Sequence, residues 1–108
     1  MKATTCRQAS PMLTHLALGF AQGHFVRNWK RRLFVLTRDY IYYYDDNDDP
    51  DATAKGSIML SHITGMEKQK DVGAWEIKTR SEKNYNIVAS SNSERQEWMT
   101  AIESAMVC

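Results

Sequence analysis

Apolar residues recur at every second position along most of this chain, and the period changes once, near the C-terminus. Strands place successive side chains on opposite faces, whereas a helix returns to one face about every 3.6 residues. Period-two segments are expected over Thr14–Ala21, Trp29–Leu36, Tyr40–Tyr44, Lys55–Leu60, His62–Lys68, Ala74–Thr79 and Tyr85–Ala89. Tyr40-Ile41-Tyr42-Tyr43-Tyr44 is dense in aromatic and β-branched side chains, which favour sheet. It follows Trp29–Leu36 across the short polar connection Thr37-Arg38-Asp39, so the two read as an antiparallel hairpin. Gly19 within the first segment marks a bulge or a close backbone approach. Gln22-Gly23 supplies a turn, with His24 to Asn28 as a polar loop.

The period then becomes helical. Ser91-Asn92-Ser93-Glu94 matches a capping box, in which hydroxyl and carboxylate each satisfy a free backbone N–H. Beyond it Trp98, Ala101, Ile102, Ala105 and Met106 form an apolar stripe, with Glu97, Thr100 and Glu103 towards water. A sheet of seven short strands curls, and a terminal helix with a tryptophan on its buried face plugs one open end. The other end stays open.

Totals limit what such a chain can do. Its 108 residues suit one domain with a modest core. Residues 1–12 are polar and aperiodic, expected to be a flexible lead-in to a domain over 13–108. A net charge of +1 argues against bulk binding to nucleic acid, so an anion site must come from local clustering. No apolar run approaches the ~18 residues that read as a membrane-spanning helix, and Met1–Ser10 lacks the apolar core of a signal peptide. Cys6 and Cys108, the two cysteines, have neither metal nor redox spacing, which points to a reduced, cytoplasmic setting. A disulfide between them is the alternative. His15, His24 and His62 show no ligand spacing, and no nucleophile–base pair stands in a motif. Neither a cofactor, a metal nor catalysis is expected.

Local clustering does occur. Trp29-Lys30-Arg31-Arg32-Leu33-Phe34-Val35-Leu36 starts cationic and ends apolar without a turn residue. Alternation puts Lys30, Arg32, Phe34 and Leu36 on one face and Arg31, Leu33 and Val35 on the other. One face thus passes from two cations into two core residues, as it would where a strand leaves a packed interior through a wet mouth. Tyr43 shares a face with core-facing Ile41, whereas Tyr40, Tyr42 and Tyr44 take the outer face. Asp45 to Asp51 reads as an exposed acidic loop, neither strand nor buried.

With Asn28–Leu36, Ile41–Tyr44, Lys55–Leu60 and Glu94–Ile102 in this order and spacing, the chain resembles a pleckstrin homology (PH) domain from about residue 14 to residue 106. The resemblance implies a mainly β fold: a seven-stranded, bent antiparallel barrel capped by one C-terminal helix. Phosphoinositide-binding members hold the headgroup at the open mouth between the first two strands. On that pattern Lys30 and Arg32 match the strand-two Lys-x-Arg, Tyr43 the strand-three tyrosine, and Lys55 the cation opening strand four. The strand-one lysine falls at Ala21, a departure that His24 or Arg27 could offset from the rim. The implied role is membrane recruitment of a larger signalling or trafficking protein, by a monomer that is cytoplasmic and peripheral to the membrane when recruited. Its partner would be a phosphoinositide-containing membrane surface or an inositol phosphate.

Blander readings also fit these residues. The Lys30–Arg32 cluster can be a solvated strand end that discourages edge aggregation. The acidic loop can simply balance the cluster's charge, and facing an anionic leaflet it would be repelled within a Debye length of ~8 Å. A protein-interaction domain without significant lipid binding is the competing function, with the outer tyrosines as one candidate surface.

Overall fold

A computed structural model of the chain describes residues 13–22, 25–45, 53–81 and 83–107; at 13, 20–22 and 25–28 it describes the backbone alone. The lead-in, both cysteines, His24 and residues 46–51 lie outside the described residues. The strands are β1 (Leu13–Gln22), β2 (Phe25–Leu36), β3 (Tyr40–Asp45), β4 (Gly56–Met59), β5 (Ile63–Lys68), β6 (Ala74–Thr79) and β7 (Asn84–Val88), and the helix is α1 (Asn92–Met106). They form one antiparallel sheet in the order β4-β3-β2-β1-β7-β6-β5. Two meanders, β1 to β4 and β5 to β7, are therefore joined where β1 pairs with β7. Among the described residues the sheet is not closed by hydrogen bonds: β4 and β5 are its two edges, linked by a 3-10 turn at Leu60–His62.

The seven period-two segments and the single helix appear in the expected order, with shifted boundaries. Strand β2 starts at Phe25, not Trp29, because residues 25–27 continue the ladder with Gln22, Ala21 and Phe20. The expected polar loop is thus mostly strand. Leu18 pairs with Lys30 and Phe20 with Arg27, so Gly19 alone opposes Asn28 and Trp29. This is the bulge expected at Gly19, with the extra residue carried by β2. Strand β4 starts at Gly56, leaving Lys55 just ahead of it, and it ends at Met59 where the 3-10 turn begins.

Inward side chains of the sheet, among them Leu16, Leu18, Phe34, Leu36, Ile41, Ile58, Trp75, Ile77 and Ile87, form the core with Trp98, Met99 and Ile102 from α1. Trp98 is fully buried, packs edge-on to Phe34 at 6.1 Å between ring centroids, and donates from Nε1 to Thr14 Oγ1 at 2.8 Å. A buried indole with its N–H satisfied holds the plug at the start of β1. Met106, expected on the apolar stripe, is exposed, and Met99 is buried instead. The rest of the expected stripe holds, with Trp98 and Ile102 in the core and Ala101 and Ala105 packed against it, and Arg95 Nη1 donates to the Ala74 carbonyl at 2.9 Å.

The helix start follows the capping logic with one change. Ser91 Oγ accepts from Glu94 N at 3.1 Å, but the Glu94 carboxylate accepts from Ser90 N at 2.8 Å, one residue before the expected donor. Gly73, at φ +74°, ties the β5–β6 turn to this junction. Its N–H donates to Asn92 Oδ1 at 2.9 Å and its carbonyl accepts from Ala89 N at 2.8 Å. A Cβ there would come within 2.2 Å of the Ala89 carbonyl oxygen.

Candidate functional site

The inner face of β2 sets up the site. In register, Leu18 stands opposite Lys30, Leu16 opposite Arg32, and Phe34 opposite Tyr43. Leu36 and Phe34 are buried, Arg32 is half-buried and Lys30 is exposed, so the strand does pass from core to water along one face. Residues two apart on a strand are separated by about 6.5–7 Å, which keeps Lys30 within reach of a ligand held at Arg32. Among the described residues Lys30 makes no ion pair.

Tyr43 forms the floor. Its ring is 8% exposed and packs against Phe34 at 5.8 Å and Tyr85 at 6.4 Å between centroids. Gly56, its partner on β4, makes this possible: a Cβ there would lie 2.3 Å from the Tyr43 hydroxyl oxygen. Burial pushes the Tyr43 phenol above its usual pKa of 10.0, while the Arg32 charge pulls it back part of the way. The phenol is therefore neutral at physiological pH and able to donate. Lys55 is anchored by its own backbone, whose N–H donates to the Tyr43 carbonyl at 2.8 Å.

Asp45 differs from its expected place in an exposed loop. It is the last residue of β3, the cross-strand partner of Arg32, and its side chain is 31% exposed. Arg32 Nη1 donates to Oδ1, and Lys55 Nζ lies 3.1 Å from Oδ2. Two charge-assisted contacts offset the cost of partial desolvation, which is why a carboxylate is tolerated here. The alternation that turns Ile41 and Tyr43 inward extends to Asp45, a signal that composition obscured because Asp45 opens an acidic run.

The structure thus brings Arg32 and Lys55 together around one carboxylate, with the Tyr43 phenol in the field of Arg32 and Lys30 on the same strand face. Arg27 lies on β2, paired with Phe20, rather than on a loop, and Ala21 pairs with Val26. His24 lies outside the described residues. A further cation is linked to Tyr43 through one ring: Lys83 Nζ sits 5.5 Å from the ring centroid of Tyr85, which itself packs on Tyr43. Its sequence signal is the same alternation, Lys83, Tyr85 and Ile87 sharing one face of β7 and its approach. Burial raises the Tyr85 pKa, with a smaller push from Tyr43.

Chemically, the arrangement offers guanidinium, ammonium and neutral phenol donors at the rim of an apolar core. That suits multidentate binding of an anion. Among the described residues no three His, Cys, Asp or Glu side chains cluster as metal ligands, and no helix is long and apolar enough to cross a membrane.

The family model for the PH domain matches residues 13–107. This chain belongs to the PH domain family. Pleckstrin of Mus musculus is 35% identical over 92 residues, covering 78% of this chain and 26% of pleckstrin. Pleckstrin-2 of Homo sapiens is 31% identical over 94 residues, covering 76% and 27%. The chain spans about a quarter of the length of these curated relatives. Among solved structures, the C-terminal PH domain of pleckstrin superposes with a TM-score of 0.74 at 32% identity, covering 93% of this chain and 99% of that one. The same pleckstrin domain in complex with D-myo-Ins(1,2,3,5,6)P5 gives a TM-score of 0.74 at 28% identity, covering 88% and 93%. The fold is the family's: seven antiparallel strands in one bent sheet with a C-terminal helix.

Proposed function

We propose that this PH domain binds phosphorylated inositol headgroups through Lys30, Arg32, Tyr43 and Lys55, and thereby recruits a larger signalling or trafficking protein to phosphoinositide-containing membrane. The module is non-catalytic and cytoplasmic, and it becomes peripheral to the membrane on recruitment. The observation that carries this reading is the convergence of Arg32 and Lys55 on one anionic group, with the Tyr43 phenol in the field of Arg32 and Lys30 on the same strand face. Crystal structures of the related C-terminal PH domain of pleckstrin with two inositol pentakisphosphates lend it support.

Affinity is expected to be modest. Each charge-assisted hydrogen bond contributes roughly 1.5–3 kcal/mol, so lacking a lysine at Ala21 weakens binding by about ten- to a hundredfold. Liposome sedimentation across the phosphoinositide series, with wild type beside Lys30→Ala/Arg32→Ala, tests the reading. Wild type should sediment with at least one phosphorylated lipid and the double variant should not. If the two behave alike on every lipid, recruitment through this mouth is wrong. The protein-interaction reading would then be preferred, with the half-buried Tyr40–Tyr42 stack, 5.4 Å between centroids on the outer face of β3, as its first surface to probe.

A further inference from the structure

Asp45 is the one feature of the mouth that a simple phosphate cradle does not need. Its two carboxylate oxygens are divided between two cations, Oδ1 taking Arg32 and Oδ2 taking Lys55. A ligand phosphate would present oxygens to the same donors, so the carboxylate competes with it for Arg32 and Lys55. We infer that Asp45 is a built-in competitor for the headgroup, holding Arg32 and Lys55 until a phosphate displaces it. This inference rests on the reading of Lys30, Arg32, Tyr43 and Lys55 as the headgroup site.

The sheet explains why the competitor is permanent. Asp45 is held in register with Arg32 by the β2–β3 ladder, so its backbone cannot retreat with a loop. Only its side chain can turn away, and a displaced carboxylate stays close to the incoming phosphate and repels it. The contact is also partly shielded from water, with side-chain exposures of 22% for Arg32 and 31% for Asp45. Screening therefore weakens it less than it weakens a fully exposed pair. In the empty domain the contact keeps two cations from facing each other unpaired, so it stabilises the unliganded mouth at the expense of the liganded one.

The test compares wild type, Asp45→Asn, Asp39→Asn and Lys30→Ala/Arg32→Ala by titration calorimetry with soluble D-myo-Ins(1,2,3,5,6)P5. A second arm measures sedimentation with vesicles containing phosphatidylinositol 4,5-bisphosphate. Asp39, exposed on the β2–β3 turn at the far end of β3, controls for the change in net charge. Asp45→Asn should tighten binding by roughly tenfold, the value of about one charge-assisted contact, while Asp39→Asn stays within about twofold. Without ligand Asp45→Asn should melt below wild type, and the melting temperature should rise more on adding ligand. Asp45→Ser serves as a second neutral variant should the asparagine fail to fold.

Equal affinity in wild type and both Asp45 variants, with binding lost in the double variant, overturns the competitor while leaving the headgroup site standing. An equal gain in Asp39→Asn overturns it as well, because the effect is then one of net charge. Failure of all four proteins to bind in either arm removes the headgroup site and, with it, the inference. Binding in the soluble arm alone identifies free inositol phosphates as the source of the recognised phosphates.

Discussion

The two ends of this sheet are built from the same strand yet obey different rules. At the plugged end Phe34 and Leu36 of β2 meet Trp98 and Ile102, all buried, with the one polar tip among them satisfied by Thr14. At the open end Arg32 and Lys30 of the same face meet Asp45, Lys55 and water. The plug is held by dispersion and burial, which tolerate no missing atoms. The mouth is held by partly hydrated charges, which can exchange partners at little net cost. Stability and binding can therefore be altered separately, and the variants below test that separation.

Trp98→Ala should have the largest effect, about 3–5 kcal/mol of lost stability, as deletion of a buried indole leaves a cavity under the helix. Denaturant melts would show it. A loss near zero would mean that the helix does not carry the core. Gly73→Ala should cost about 1–3 kcal/mol, because a side chain at φ +74° is strained and meets the Ala89 carbonyl.

Gly56→Ala probes where the two ends meet. A Cβ beside the Tyr43 hydroxyl forces the ring to move within a packed core, at about 1–3 kcal/mol. Headgroup affinity should fall in the same variant. Full binding would show that the position of Tyr43 does not matter to the mouth. By contrast Lys30→Ala/Arg32→Ala should leave the melting temperature within a few degrees of wild type, since a partly exposed ion pair is worth only about 0–1 kcal/mol and Lys55 still pairs with Asp45.

The smallest effect concerns alkaline pH. The folded state raises the Tyr43 pKa, chiefly by burial and against the pull of Arg32, so folding favours the neutral phenol. That contribution is complete below the unfolded pKa near 10.0 and is lost as pH rises through the folded value. Tyr43→Phe cannot ionise, so its stability should fall less steeply than that of wild type between neutral pH and the alkaline limb. Parallel profiles would mean that Tyr43 is not desolvated.

Element type was legible wherever it depended on short-range pattern. Period-two alternation in Tyr40–Tyr44 and Ala74–Thr79, and the Ser91–Glu94 cap, are consequences of backbone geometry that any tertiary setting would keep. The inward direction of Tyr43 was legible for the same reason. The start of β2 was not, because Phe25–Asn28 becomes strand only through pairing with the end of β1 across a bulge. Trp98, Ala101, Ile102 and Ala105 were legible as the buried stripe; that Met99 joins it and Met106 is exposed was not, because packing against the sheet decides which flanking residues of a helix are covered.

By itself, then, the amino-acid order determined seven strands, one capped helix and a β2 face that runs from cations into core. Only the tertiary structure decided what those cations do in the empty domain. Asp45 stands first in a run of acidic residues and looks like loop. The ladder to β2 sets it opposite Arg32, and Lys55 reaches it from ahead of β4. Pairing partners 13 and 10 positions away along the chain are chosen by sheet register. Register is a property of the whole fold, because each strand finds its place only once its inward side chains share one core.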